Sequence, residues 1–350
     1  MSERRGEAPQ TPDSPAEIHE RSVDLTAGES VDLTTGELPE DVAASTSTVA
    51  AASQLVAPVA GIPASAIAGR GRSDFIYYGL RNKKLLFGLS LELVFVALAV
   101  IGPFLAKYPP NALVGPGLAH PNGTFWLGTD NLGHDLFSQL TNGLRESYLV
   151  GALGAVSAAV VGMALGFIAG WRGGFLDEVI QMFTNILIMI PALVLLVVIG
   201  AYLPSRSVLF EGVFIGLTTW PWVARAVRAQ TFSLRSREFV DIAKLSGKRS
   251  LSIILKDIAP NMASYLFLVI ILLFGSSMLL AASYDFLGIG PTNVVSLGSM
   301  MNNANQSAAL FYHLWWWFIP PGVVLTAMVA ALLIANVGLD EVFNPKLREQ

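Results

Sequence analysis

The chain has 350 residues, of which 53% are hydrophobic and 14% charged, with a mean hydropathy of +0.56. Soluble globular chains carry about 25% charged residues, so this one lacks the polar surface that water demands and reads as a membrane protein. A net charge of −4 offers no basic footprint for nucleic acid, and the lack of cysteine excludes disulfides, thiolate metal ligands and a cysteine nucleophile.

The charge is unevenly spread. Residues 1–69 hold eleven acids and three arginines, a sum of −8, which leaves +4 for the remainder. Residues 1–73 are rich in Glu, Asp, Ser, Thr, Pro and Ala and have almost no aromatics, so they cannot bury enough apolar area to offset their ordering entropy. They read as a disordered acidic tail. Val23-Asp-Leu-Thr-Ala-Gly-Glu29 nearly repeats as Val31-Asp-Leu-Thr-Thr-Gly-Glu37, which fits duplication in an unconstrained segment better than a docking motif. The start lacks the charged-then-apolar pattern and cleavage site of a secretory signal.

Residues 74–350 form the second region, an all-α, six-helix transmembrane bundle. Helices of about 20 apolar residues cross a ~30 Å hydrocarbon layer. Six segments approach that length: Leu85–Ala106, Tyr148–Gly170, Val179–Leu203, Val208–Ala224, Met262–Ser283 and Phe318–Gly338. The fourth is interrupted by Glu211, Trp220 and Pro221. Lysine and arginine set the orientation. With the N-terminus inside, sixteen fall in inside segments and three (Lys107, Arg145, Arg206) in outside segments. Both termini are then cytoplasmic, 107–147 and 284–317 lie outside, and 225–261 is a large inside loop. Trp315, Trp316 and Trp317 precede the sixth span as expected headgroup anchors.

Within the spans, Gly162, Gly166 and Gly170 form a small-residue ridge for close helix packing, inside this subunit or against a partner. Gln181, Thr184 and Asn185 share one face of the third span, ahead of an expected kink at Pro191. Lining of a path and interhelical bonding fit them equally. The expected path residues are Gln181, Asn185, Ser276, Ser277 and Met278. Glu92 in the first span is expected to be protonated, paired or turned toward protein. The four histidines, His19, His120, His134 and His313, lack ligand spacing, so no metal site is expected.

The loop between the fourth and fifth spans reads as two short helices. Ser236 caps the first, with Glu238 near the positive end of the dipole and Phe239, Ile242, Ala243 and Ser246 on one face. Gly247 stops it. Ser250 then caps a second helix with a Leu251, Ile254, Leu255, Ile258 stripe, ended by Pro260. A plain connector would share the stripes, but not the acids, the glycine stop and the proline at these intervals.

The run Arg237-Glu-Phe-Val-Asp-Ile-Ala-Lys-Leu-Ser-Gly247, followed by Asp257-Ile-Ala-Pro-Asn261, resembles the "EAA" loop of ABC importer permeases, in the dipeptide/oligopeptide/nickel branch. Two further stretches agree with that branch's C-type subunit. Trp126-Leu-Gly-Thr-Asp-Asn-Leu-Gly-His-Asp-Leu136 is similar to its L-G-T-D-x-x-G-R-D motif, with His134 where arginine is usual. Phe286-Leu-Gly-Ile-Gly290, Ser296-Leu-Gly298 and Asn336–Pro345 are similar to its later segments, with Leu297 in place of tryptophan.

The resemblance spans about residues 75–348 and implies a coupling helix seated on a cytoplasmic ATPase. Carried over position by position, Arg237, Glu238, Phe239, Asp241, Ile242, Ala243 and Gly247 are the coupling residues. It further implies a heterodimer with a second permease, two ATPase subunits, an extracellular substrate-binding protein and a plasma-membrane location. ATP and Mg would sit on the partner ATPases, and this chain would bind no cofactor of its own. In the outer motif, Gly128 and Gly133 permit turns while Thr129, Asp130 and Asp135 cap helix starts. Ser246-Gly-Lys-Arg-Ser250 lacks the earlier glycine and the following hydroxyl of a phosphate-binding loop, so the chain is no ATPase. Peptides are the expected cargo, with nickel and oligosaccharides as alternatives in the same branch. A secondary transporter or channel would call for ion sites at broken helices or an inverted repeat. A membrane-embedded enzyme would call for clustered catalytic groups.

Overall fold

In the computed structural model, residues 77–202 and 206–343 are described, and the acidic tail with its near-repeat lies outside them. The described residues are helical, apart from turns and one isolated antiparallel bridge between Thr129 and Asp135. In chain order the helices are α1 Lys83–Leu105, α2 Leu136–Arg172, α3 Gly174–Met189, α4 Ala192–Tyr202, α5 Val208–Arg235, α6 Glu238–Leu245 and α7 Ser250–Ile253. A π-helical turn Ile254–Ile258 follows, then α8 Ala259–Asn261, α9 Ala263–Phe286, α10 Leu297–Gln306 and α11 Trp315–Phe343.

Four helices (α1, α2, α9 and α11) are long and apolar enough to cross a membrane, and α3 with α4 could supply a fifth crossing as a broken pair bent by 85°. The third and fourth of the six expected spans depart from a plain apolar crossing, where the expected kink and interruptions lie. The third breaks at Pro191, whose ring nitrogen cannot donate to the preceding turn. Ile190 N–H bonds to the Leu187 carbonyl instead, and Leu195 N–H restarts the ladder on the Pro191 carbonyl. The fourth, α5, is continuous but less apolar than the other long helices, because Glu211, Arg225, Arg228 and Arg235 lie along it. It also runs to Arg235, so the first part of the expected 225–261 loop is helix.

Helix α2 has 37 residues and is about 55 Å long, so it stands well clear of a ~30 Å layer. Its most extensive partner is α5. The reason is the glycine ridge: a Cβ on Gly162 would lie 2.5 Å from Val223 Cβ, and one on Gly166 would lie 2.7 Å from the Ala224 carbonyl. Backbones can approach this closely only where side chains are missing. The ridge therefore packs within the subunit. Gly88 and Gly338 do the same between α1 and α11.

A correction concerns the three tryptophans. Trp315 is exposed, but Trp316 and Trp317 are buried, packed in the core formed by α2, α9, α10 and α11. The Trp316 ring rests on His120, with centroids 4.2 Å apart. Helix α11 starts before the expected span, which turns two of the rings inward.

Candidate functional site

The α6 hairpin is built on a buried base. Ser236 closes α5 and its hydroxyl donates to the Ser233 carbonyl, so it does not cap α6; the N-cap is Arg237, in extended backbone and without a side-chain cap. Glu238 and Asp241 lie in the first turn, where the helix dipole favours carboxylates. At the far end Gly247 adopts φ +73°, and Lys248 N–H reaches the Ala243 carbonyl at 3.2 Å. That bond closes a left-handed glycine cap. Lys248 Nζ then pairs with both Asp257 oxygens at 2.9 and 3.0 Å, fixing the corner to the π turn.

The face of α6 turned inward is Val240 and Ala243, packed with Ile253, Ile258 and Val227. This differs from the expected stripe, since Ile242 points outward at 64% exposure and Leu245 at 88%. The second stripe is also redrawn: Ile253, Ile254 and Ile258 are buried, whereas Leu251 and Leu255 are exposed. The wider π turn advances the register by a residue, so an α-helical wheel misassigns the faces. Of the expected coupling residues, Arg237, Glu238, Asp241, Ile242 and Gly247 are exposed, Phe239 is half-buried and Ala243 is a base residue. Leu245, Leu251 and Leu255 join the outward surface and were not expected there.

A groove of about 550 Å³ opens beside the α3–α4 elbow, lined by Pro191, Thr218, Thr219, Trp222, Ser276 and Val329 among others. Of the five expected path residues, only Ser276 is among its lining residues. Ser277 and Met278 are fully buried on the other face of α9, against Gly154 and Gly151 of α2. Asn185 Oδ1 accepts from Arg225 Nη2 at 2.7 Å, an interhelical bond. Gln181 Nε2 is buried with no hydrogen-bond partner among the described residues.

At the other end of the bundle, the outer motif folds on itself. Gly128 and Gly133 have φ of +75° and +93°. The Thr129 hydroxyl donates to the Pro116 carbonyl at 2.6 Å and accepts from Ala119 N–H at 2.8 Å. Buried Asp130 accepts from the Leu132 and His134 backbone, from Gln139, and shares a 2.6 Å contact with His134 Nδ1. Asp135 caps α2 through Ser138 N–H at 3.0 Å. All five motif residues hold the segment's own geometry.

Three carboxylates went unrecognised in the sequence as a group. Glu146 of α2, Glu211 of α5 and Asp285 of α9 line one small cavity together with Ser147 and Ser296. Both Glu211 oxygens, one Asp285 oxygen and one Glu146 oxygen are buried without a hydrogen-bond partner among the described residues. The cue was present: an acid inside an apolar span is costly and needs a reason.

These helices, with a bent α3–α4 pair, a mid-bundle groove and a projecting hairpin, define a multi-pass, all-helical membrane protein. Residues 162–349 match the family described as binding-protein-dependent transport system inner membrane component. The chain is 32% identical over 278 residues to a putative peptide transport system permease protein of Brucella abortus, covering 77% of this chain and 90% of that one. It is also 32% identical over 233 residues to the dipeptide transport system permease protein DppC of Alkalihalophilus pseudofirmus, covering 65% and 75%. The oligopeptide transport system permease protein OppC of Mycobacterium tuberculosis shows the same identity over 233 residues, covering 65% and 80%. The chain belongs to the binding-protein-dependent transport system inner membrane component family, the permease subunits of ATP-driven importers, and its similarity falls with the C-type subunits.

Proposed function

We propose that this chain forms half of the translocation path of an ATP-driven peptide importer and takes its driving motion through α6. The observation that carries the reading is the outward face of the hairpin. Ile242, Leu245, Leu251 and Leu255 are more than half exposed, and Glu238 and Asp241 flank them. Apolar side chains held in water on a rigid, glycine-capped base favour a protein partner that buries them. The acids add charge complementarity to a basic socket. An ATPase subunit is that partner.

The excess of lysine and arginine around α6 supports a cytoplasmic location for it and for both termini. A second permease completes the groove, and an external binding protein delivers cargo to the opposite end. Peptides are the cargo, in keeping with the names of the relatives. ATP and Mg belong to the ATPase chains.

Co-purification of the full chain with its ATPase subunits tests the central point. The double substitution Glu238→Lys, Asp241→Lys should abolish capture while the chain still folds, with its unfolding midpoint lowered only by the small loss of helix-dipole stabilisation. Retained capture would remove α6 from the interface.

A further inference from the structure

Three arginines of α5 reach back to the α2–α3 hairpin. Arg228 makes a fork on Asp177, with Nε to Oδ1 and Nη2 to Oδ2 both at 2.5 Å. Arg225 Nη2 donates to Asn185 Oδ1 at 2.7 Å, and Arg235 Nη1 donates to the Trp171 carbonyl at 2.8 Å. Positions 225, 228 and 235 fall on one stripe of a helix. The stripe thus grips both ends of α3 and the end of α2.

Packing does little to hold α3. Thr184 is its only buried residue, whereas α2 is buried along much of its length. The position of α3 is therefore set largely by polar contacts with α5. Of these, the Asp177–Arg228 fork is the best enclosed, with side-chain exposures of 13% and 31%. Two parallel charge-assisted bonds resist sliding and rotation together, which one bond or a smooth apolar contact does not.

The two ends of this link adjoin α6 and the α3–α4 elbow. Helix α5 ends at Arg235 and α6 begins at Glu238. Helix α3 ends at Met189, directly before the 85° elbow whose Ile190, Pro191 and Ala192 line the groove. We propose that the Asp177–Arg228 pair is the latch that carries displacement of α6 along α5 and into the α3–α4 elbow. Asp177 and Arg228 are positioning residues: they touch no cargo and act through α3. The inference rests on the reading of α6 as the ATPase contact.

The test uses the full chain assembled with its second permease and ATPases in lipid nanodiscs. The chain has no cysteine, so Met182→Cys in α3 and Val198→Cys in α4, both exposed, are labelled before assembly without background from the chain itself. Pulsed electron resonance then reads the distance across the elbow with and without ATP and vanadate. The expected result is a nucleotide-dependent shift in the otherwise unsubstituted chain, its loss in Asp177→Asn with ATP hydrolysis retained, and its return in the exchange Asp177→Arg, Arg228→Asp. A purely structural pair would instead change the nucleotide-free distance or the assembly, and would leave the nucleotide-dependent shift in place. Should Asp177→Asn fail to assemble, Arg228→Lys, which keeps the charge but gives up the fork, is read in its place and should narrow the shift. The latch is overturned by a full shift in the single variant, by no shift in the parent chain, or by no recovery on exchange. Failure of the parent chain to assemble with ATPases would instead sink the reading of α6.

Discussion

The Tyr148 hydroxyl of α2 donates to Glu92 Oε1 of α1 at 2.8 Å, so the acid inside the first helix faces protein and has a partner. The ring that delivers the hydroxyl stacks on Phe274 of α9, which ties three helices to one polar contact. Tyr148→Phe keeps the ring and removes the donor. It should cost about 1–3 kcal/mol, the usual penalty for orphaning a buried acceptor, seen as a lower thermal midpoint in detergent. Adding Glu92→Leu should recover most of that loss, since no acceptor then remains.

The glycine ridge of α2 predicts a steep size dependence. Gly166→Ala should destabilise by about 1–3 kcal/mol through overpacking against α5, because its Cβ would meet the Ala224 carbonyl. Gly174→Ala has nothing within 4 Å and serves as a spatial control, although its φ of +59° adds backbone strain. Thermal midpoints of the two variants separate crowding from strain.

Asp130 organises the outer motif through four contacts, to the Leu132 and His134 amides, the His134 ring and Gln139. Asp130→Ala leaves those donors without their acceptor. A loss of about 2–3 kcal/mol is expected from hydrogen bonds to a charged group. Amide exchange should rise within residues 128–136 and stay unchanged in α6, at the far end of α5.

The cavity lined by Glu146, Glu211 and Asp285 brings three buried carboxyl groups together, several of their oxygens without a hydrogen-bond partner among the described residues. Glu211→Gln places an amide donor beside the other two carboxyls. The variant should be more stable than the parent by about 1–3 kcal/mol, since a buried acceptor left unpaired costs about that much. An unchanged or lower midpoint would overturn this expectation.

On α6, opposite faces should separate two effects. Leu245→Ala on the exposed face should change stability by less than about 0.5 kcal/mol while weakening ATPase capture. Val240→Ala, buried at the base, should cost about 0.5–2 kcal/mol of stability. Thermal midpoints and capture assays on the same preparations check both.

Composition and hydropathy alone settled the membrane setting and the helical class, since lipid offers no partner for unpaired backbone groups. The hairpin was legible for a local reason: acids at the start and a glycine at the end act within one helix turn, and Gly247 indeed closes α6 with φ +73°. Which face of the second helix is buried was not legible, because the π turn at Ile254–Ile258 shifts the register that a helical wheel assumes. Ser276, Ser277 and Met278 are adjacent in sequence, yet only the first meets the groove while the others pack on α2. Nor could the sequence pair Arg228 with Asp177, or gather Glu146, Glu211 and Asp285 around one cavity. Local patterns fix what a segment becomes; the crossing of α2, α3, α5 and α9 decides which distant polar groups meet, because helix packing sets those distances and periodicity does not.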